Sequence, residues 1–202
     1  MHQRLTSLVV GALLAGATTL AAQATGTTTF NAPYRAFTRS EIGLLLSFPN
    51  GGGTAFEGAY RFASGKFDLG FKGGLFSPGG NAKTVLLAGV EARERVLTHT
   101  VDFPLDGALV VGVGGNFVSG ASALIVPVGL SLGRRIDPQG SQVSIVPYVQ
   151  PTMFLVSDVF GSNVNFTLGL GADFRLSRVF DARVSAGLGD LKGVSIGAVW
   201  VH

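Results

Sequence analysis

Between residues 164 and 176 the side chains alternate without a break. Val164, Phe166, Leu168, Leu170, Ala172, Phe174 and Leu176 fall on one parity, with Asn165, Thr167, Gly169, Gly171, Asp173 and Arg175 on the other. A period of two over this length is a β-strand whose two faces meet different surroundings. The pattern returns in Ala182, Val184, Ala186 and Leu188, and again in Val194, Ile196, Ala198 and Trp200, each against a face of Arg, Ser and Gly. Short connections join the three segments, so they form an antiparallel meander.

Seven further segments of the same kind precede them, at about residues 40–48, 54–63, 66–76, 83–93, 107–118, 123–133 and 142–155. Gly-, Pro- and Ser-rich breaks such as PNGGG, SPGGN and SGAS separate many of them and read as turns. In the fourth segment the parity is blurred, because Val85 and Leu87 share a phase with Glu91 and Arg93. The stretch RVLTHTVDFPLD reads as the longest connection. No helical period competes, so the expectation is all-β: ten strands, with eight as the fallback count. Pro127, Pro147 and Pro151 lie inside segments, and proline donates nothing to a ladder, so bulges are expected there.

The N-terminus has the layout of a secretory signal peptide over residues 1–24. Arg4 and His2 give a positive start, Leu5 opens an apolar run, and Ala22-Gln23-Ala24 is a small-residue cleavage site. Cleavage is expected after Ala24, with Ala22 as second choice. Residues 25–39 then form a loose lead-in, and residues 40–202 the strand domain. Removing Arg4 leaves a formal charge of +2, from fourteen basic and twelve acidic residues. That even balance argues against a nucleic-acid partner. With no cysteine in the chain, thiol chemistry, disulfides and Cys-based metal sites are excluded. Beyond the leader no run approaches the ~20 apolar residues of a membrane helix, although mean hydropathy is +0.43.

Alternation leaves open which face is buried. A closed up-and-down barrel in a bilayer turns its apolar face to lipid; a soluble sandwich or lipocalin-like carrier turns it inward, around an apolar ligand. The face opposite the large apolar residues is crowded with glycine, at a share of 30 in 202 that is about twice the usual. Small residues suit a narrow lumen. The same face carries Glu41, Glu57, Asp68, Glu91 and Asp173 against Arg61, Lys72, Arg93, Arg175 and Arg183, five acids to five bases. Such matching is what a low-dielectric interior demands. Tyr148 and Gln150 join this interior set as hydrogen-bond partners. Segment lengths also meet the ~9–11 residues that cross a bilayer at a tilt. The expected architecture is therefore a closed antiparallel transmembrane barrel, with the soluble carrier as the alternative.

The cleavable leader, the even number of alternating strands, the short turns and the aromatic in the last strand resemble the small outer-membrane β-barrel proteins of double-membraned bacteria. The resemblance is one of pattern over residues 40–202. It implies an outer-membrane location, contact with outer-membrane lipid, and assembly by the barrel-insertion machinery. In that family the last strand is the assembly signal and usually ends in an aromatic. Here Val194, Ile196, Ala198 and Trp200 keep the alternation, and His202 takes the final slot.

No enzymatic activity, cofactor or metal is expected. Past the leader only His99 and His202 remain as histidines, no nucleophile elbow or metal-spaced cluster is present, and His99 sits in a connection rather than at a strand rim. The paired interior charges are expected to fill the lumen, since barrels near eight strands are just wide enough for side chains to do so. The function read from sequence is thus structural, or a narrow channel, open or closed.

Overall fold

The computed structural model describes residues 24–33, 39–158 and 161–202; the leader assigned to residues 1–24 lies outside them except for Ala24. Ten strands follow in order: β1 (Glu41–Pro49), β2 (Thr54–Ser64), β3 (Phe67–Ser77), β4 (Val85–Leu97), β5 (Asp106–Val118), β6 (Ala121–Gly133), β7 (Ser144–Asp158), β8 (Gly161–Arg175), β9 (Phe180–Gly189) and β10 (Gly193–Val201). Each pairs antiparallel with its sequence neighbour, and β1 pairs with β10 to close the ring. Closure satisfies the backbone groups that an open edge leaves bare. The seam runs from Glu41↔Val201 to Pro49↔Gly193, and the His202 amide donates to the Ser40 carbonyl at 2.9 Å just beyond it.

The alternation seen in the sequence sorts the side chains between two environments. Every strand turns large apolar residues to the outside, among them Leu44, Phe56, Phe71, Leu86, Val113, Leu124, Met153, Phe166, Leu188 and Trp200, one from each strand in turn. Charged and small residues of the other parity are buried in the lumen. The blurred phase of β4 resolves the same way: Leu87, Glu91 and Arg93 all point inward and are buried, so the apolar residue there is a lumen residue.

Bulges expected at the prolines do not occur. The β5–β6 register is the same on both sides of Pro127, from Val111↔Val128 to Gly114↔Ile125, and β6–β7 is in phase on both sides of Pro151. Pro147 and Pro151 keep their places opposite Ala172 and Leu168. Gly112 stands across from Pro127, where an added Cβ would meet the Pro127 ring carbon Cγ at 3.1 Å. A missing side chain, rather than an inserted residue, accommodates that ring. The one register shift, between Arg95 and Leu97, falls in the β4–β5 pair.

Both ends of the barrel chain, Ser40 and His202, share a rim with connections 65–66, 98–105, 134–143 and 176–179. Strands take only Arg95–Leu97 and Asp106 of RVLTHTVDFPLD, and 134–143 is a longer connection than the 98–105 that remains. Most of SDVFGSN is strand, since β7 runs to Asp158 and β8 begins at Gly161.

Candidate functional site

The interior is the one place where polar chemistry is concentrated. Near the rim that bears the chain ends, side chains from β1, β2, β3, β4, β8 and β9 form a connected ionic network. Arg61 pairs with Asp68, donates to Glu91 Oε1 at 2.7 Å and lies 3.7 Å from Glu41 Oε1. Asp68 also holds Arg93, at 3.1 Å, and Glu91 lies 3.8 Å from Lys72 Nζ. Arg183 grips Asp173 through two parallel bonds of 2.9 Å and reaches Glu41 at 3.5 Å. Bidentate and shared contacts of this kind are what makes burying ions tolerable.

Through this network runs main chain. Residues 25–33, the start of the stretch expected as a loose lead-in, are buried inside the barrel together with Ala24. Five successive carbonyls each accept a hydrogen bond from a different strand. Thr28 O accepts from Ser185 on β9 at 2.6 Å, Thr29 O from Lys72 on β3 at 3.3 Å, and Phe30 O from Tyr148 on β7 at 2.9 Å. Asn31 O accepts from Ser131 on β6 at 2.7 Å, and Ala32 O from Arg93 on β4 at 2.9 Å. A buried backbone group without a partner costs about as much as a lost hydrogen bond, so these donors are what allows a non-sheet segment to lie there. The Asn31 side chain accepts from Arg183 at 2.7 Å and donates to Glu91 at 3.3 Å, tying segment to network. Phe30 is fully buried and lies against Gly169, where an added Cβ would come within 2.6 Å of its ring. The inward glycine makes the space that the phenyl occupies.

Toward the opposite rim the lining changes to hydrocarbon. Ala55, Phe76, Leu87, Ile125 and Phe154 cluster there with Leu191, which turns in from the connection between β9 and β10. Beside the ionic network a pocket of about 10 Å³ remains, lined by Asn31, Glu41, Arg61 and Arg183 among others. That is about the room of one water.

Of the residues assigned to the interior from sequence, Glu41, Glu57, Arg61, Asp68, Lys72, Glu91, Arg93, Tyr148, Gln150, Asp173 and Arg183 are buried there. Arg175 is half-buried near the rim, across the β8–β9 ladder from Asp181. Sequence reasoning missed Asp181 and Asp106, both buried acids at strand starts, and Asn31, whose segment has no periodicity to betray it. Val194, Ile196 and Trp200 of the last strand face outward, with Trp200 flanked by Ile42 and Phe180. His99 lies in the 98–105 connection with Nδ1 3.0 Å from Asp106 Oδ2. Among the described residues no group of three His, Asp or Glu is placed to hold a metal ion. Outside the strands, Asp137 accepts from Ser144 at 2.5 Å and Arg135 at 2.7 Å, and these contacts hold its carboxyl below the usual aspartate range.

Fold and interior together define a class: a closed ten-stranded antiparallel barrel with an ionic, occupied lumen and an apolar exterior. Several solved structures are similar to this chain at low sequence identity. A de novo designed transmembrane β-barrel is 17% identical, with 83% of this chain and 98% of that one covered at a TM-score of 0.43. A bacterial polysaccharide outer membrane secretin is 13% identical over 81% of this chain and 65% of its own, with a TM-score of 0.44. The β domain of the Bordetella autotransporter BrkA is 13% identical over 81% of this chain and 98% of its own, with a TM-score of 0.46. No family model and no curated protein sequence matches the chain.

Proposed function

We propose that the protein is an integral outer-membrane barrel whose lumen is sealed by its own N-terminal segment, so that it serves as a structural element or a closed channel rather than an open pore. The observation that carries this reading is the inversion of sides. Large apolar side chains from all ten strands face outward, while the interior holds ions, glycine and a hydrogen-bonded stretch of main chain. A water-soluble protein rarely exposes a continuous apolar belt, and a lipocalin-like carrier needs a greasy cavity where this lumen has carboxylates and guanidinium groups. In lipid the same arrangement is the expected one. The leader then routes the chain across the inner membrane, and the outward face of β10 presents the assembly signal.

Two measurements test the reading. Cell fractionation with boiled and unboiled gels is expected to place the protein in the outer membrane as a detergent-extracted, heat-modifiable species; recovery in the soluble periplasm ends the membrane assignment. In planar bilayers the intact protein is expected to be silent, and a variant lacking residues 25–33 to conduct. Steady conductance by the intact protein ends the sealed-lumen assignment and leaves the membrane assignment standing.

A further inference from the structure

The central charges of the lumen are one short. Glu41, Glu57, Asp68, Glu91 and Asp173 are five acids, and Arg61, Lys72, Arg93 and Arg183 are four bases, all buried. The fifth base of the sequence pattern, Arg175, stands at the rim opposite Asp181, and Asp106 is paired with His99. The four bases contact Glu41, Asp68, Glu91 and Asp173. Glu57 is fully buried; among the described residues no cation stands in ion-pair contact with its carboxylate, and the Lys72 ammonium that acts on it from further off is shared with Glu91. One oxygen, Oε2, accepts from the Thr27 hydroxyl at 2.6 Å; the other, Oε1, is buried with no hydrogen-bond partner. A buried carboxylate that shares its nearest ammonium with a second acid is under-compensated for the hydration it has lost.

The residue best placed to answer it is Thr25. Threonines 25, 27 and 29 share one side of the segment, with Thr25 Oγ1 3.3 Å from Thr27 Oγ1 and Thr27 Oγ1 3.1 Å from Thr29 Oγ1. Thr25 is therefore one hydroxyl removed from Glu57. Within a longer chain its nitrogen is a neutral amide. Cut after Ala24, the small-residue site, the same nitrogen becomes an ammonium and Thr25 becomes the first residue. The bond broken is the Ala24–Thr25 peptide, hydrolysed by water to a carboxylate on the leader and an amine on the mature chain.

We propose that the α-ammonium of Thr25, released by cleavage after Ala24, enters the lumen and pairs with Glu57, so that leader removal supplies the last charge of the interior and locks the sealing segment in place. The pairing rests on the sealed-lumen reading and makes the processing site part of the folded structure. A cut at the second site, after Ala22, puts the ammonium two residues further from the carboxylate and leaves Glu57 with only the Thr27 hydroxyl and its share of Lys72.

The test uses the mature protein extracted from membranes. Its intact mass reads the first residue, expected to be Thr25; any other start overturns the proposal without touching the sealed lumen, which conductance tests separately. In the protein that starts at Thr25, reductive methylation of the α-amine at neutral pH is expected to be at least about tenfold slower when folded than in urea, because a nearby carboxylate favours the unreactive ammonium form. Equal rates overturn the pairing. A thermal midpoint series then separates charge pairing from mere burial. Glu57→Gln is expected to lower the midpoint in the native-start protein, and to lower it much less when one extra residue precedes Thr25. Equal lowering in both backgrounds overturns the proposal.

Discussion

The two ends of the lumen exclude water by different means. Toward the rim that carries the chain ends, β1, β2, β3, β4, β8 and β9 line the lumen with ions, beside Val110, Val146 and Val199; toward the opposite rim hydrocarbon predominates. Single strands record the change. Along β4 the inward residues pass from Arg93 and Glu91 through Gly89 to Leu87, and along β7 from Tyr148, Gln150 and Thr152 to Phe154. The parity is the same throughout, so a period of two fixes which residues point inward and says nothing of what chemistry they meet. The hydrocarbon end is held by contact and shape, each part of which can be trimmed at moderate cost. The ionic end is held by mutual saturation. Removing one ion there leaves its partners charged, buried and without compensation.

The contrast is broken if the two ends respond alike. Asp68→Ala strips the shared partner from Arg61 and Arg93 and is expected to cost about 3–5 kcal/mol, seen as a fall in the urea midpoint of the detergent-folded barrel. A loss as small as that of an apolar trim would mean that the network is hydrated. On the outer face, Leu168→Arg places a charge in lipid one residue from the inward Gly169, and about 2–4 kcal/mol of loss is expected at mid-depth. Normal assembly and stability of that variant would contradict the assigned parity. At the hydrocarbon end Ile125→Val is expected to cost about 0.5–1.5 kcal/mol by the same urea assay. The smallest effect belongs to the 134–143 connection, where Arg135→Ala is expected to leave the midpoint unchanged, because exposed pairs contribute little. The depressed Asp137 carboxyl gives that loop a contribution present above the ordinary aspartate range and lost as pH falls through the lowered value, so protease cutting within 134–143 is expected to rise only at strongly acid pH.

Much of the barrel was legible because an apolar exterior and a polar lumen impose opposite chemistry on neighbouring residues. Strand count, sidedness and most interior ions follow from that alternation alone. The prolines misled because a bulge is not the only way to place a ring in a ladder; a facing glycine such as Gly112 does it without an extra residue. Leu191 was hidden in a short turn with no phase to read. Least legible was the segment at residues 24–33. A stretch bound through its carbonyls carries no period in its side chains, and threonines with an alanine and a proline look the same in a linker. Even the ion count was misleading in one respect, because Arg175 belongs to the rim with an acid at the start of β9 that the alternation did not single out.

The five wall donors that hold residues 28–32 touch atoms every amino acid possesses. Spelling therefore matters little at positions 28 and 32, where any small residue offers the same oxygen, while Thr29, Phe30 and Asn31 are read by their side chains as well. Over generations such a cork is free to drift where its bottle is not.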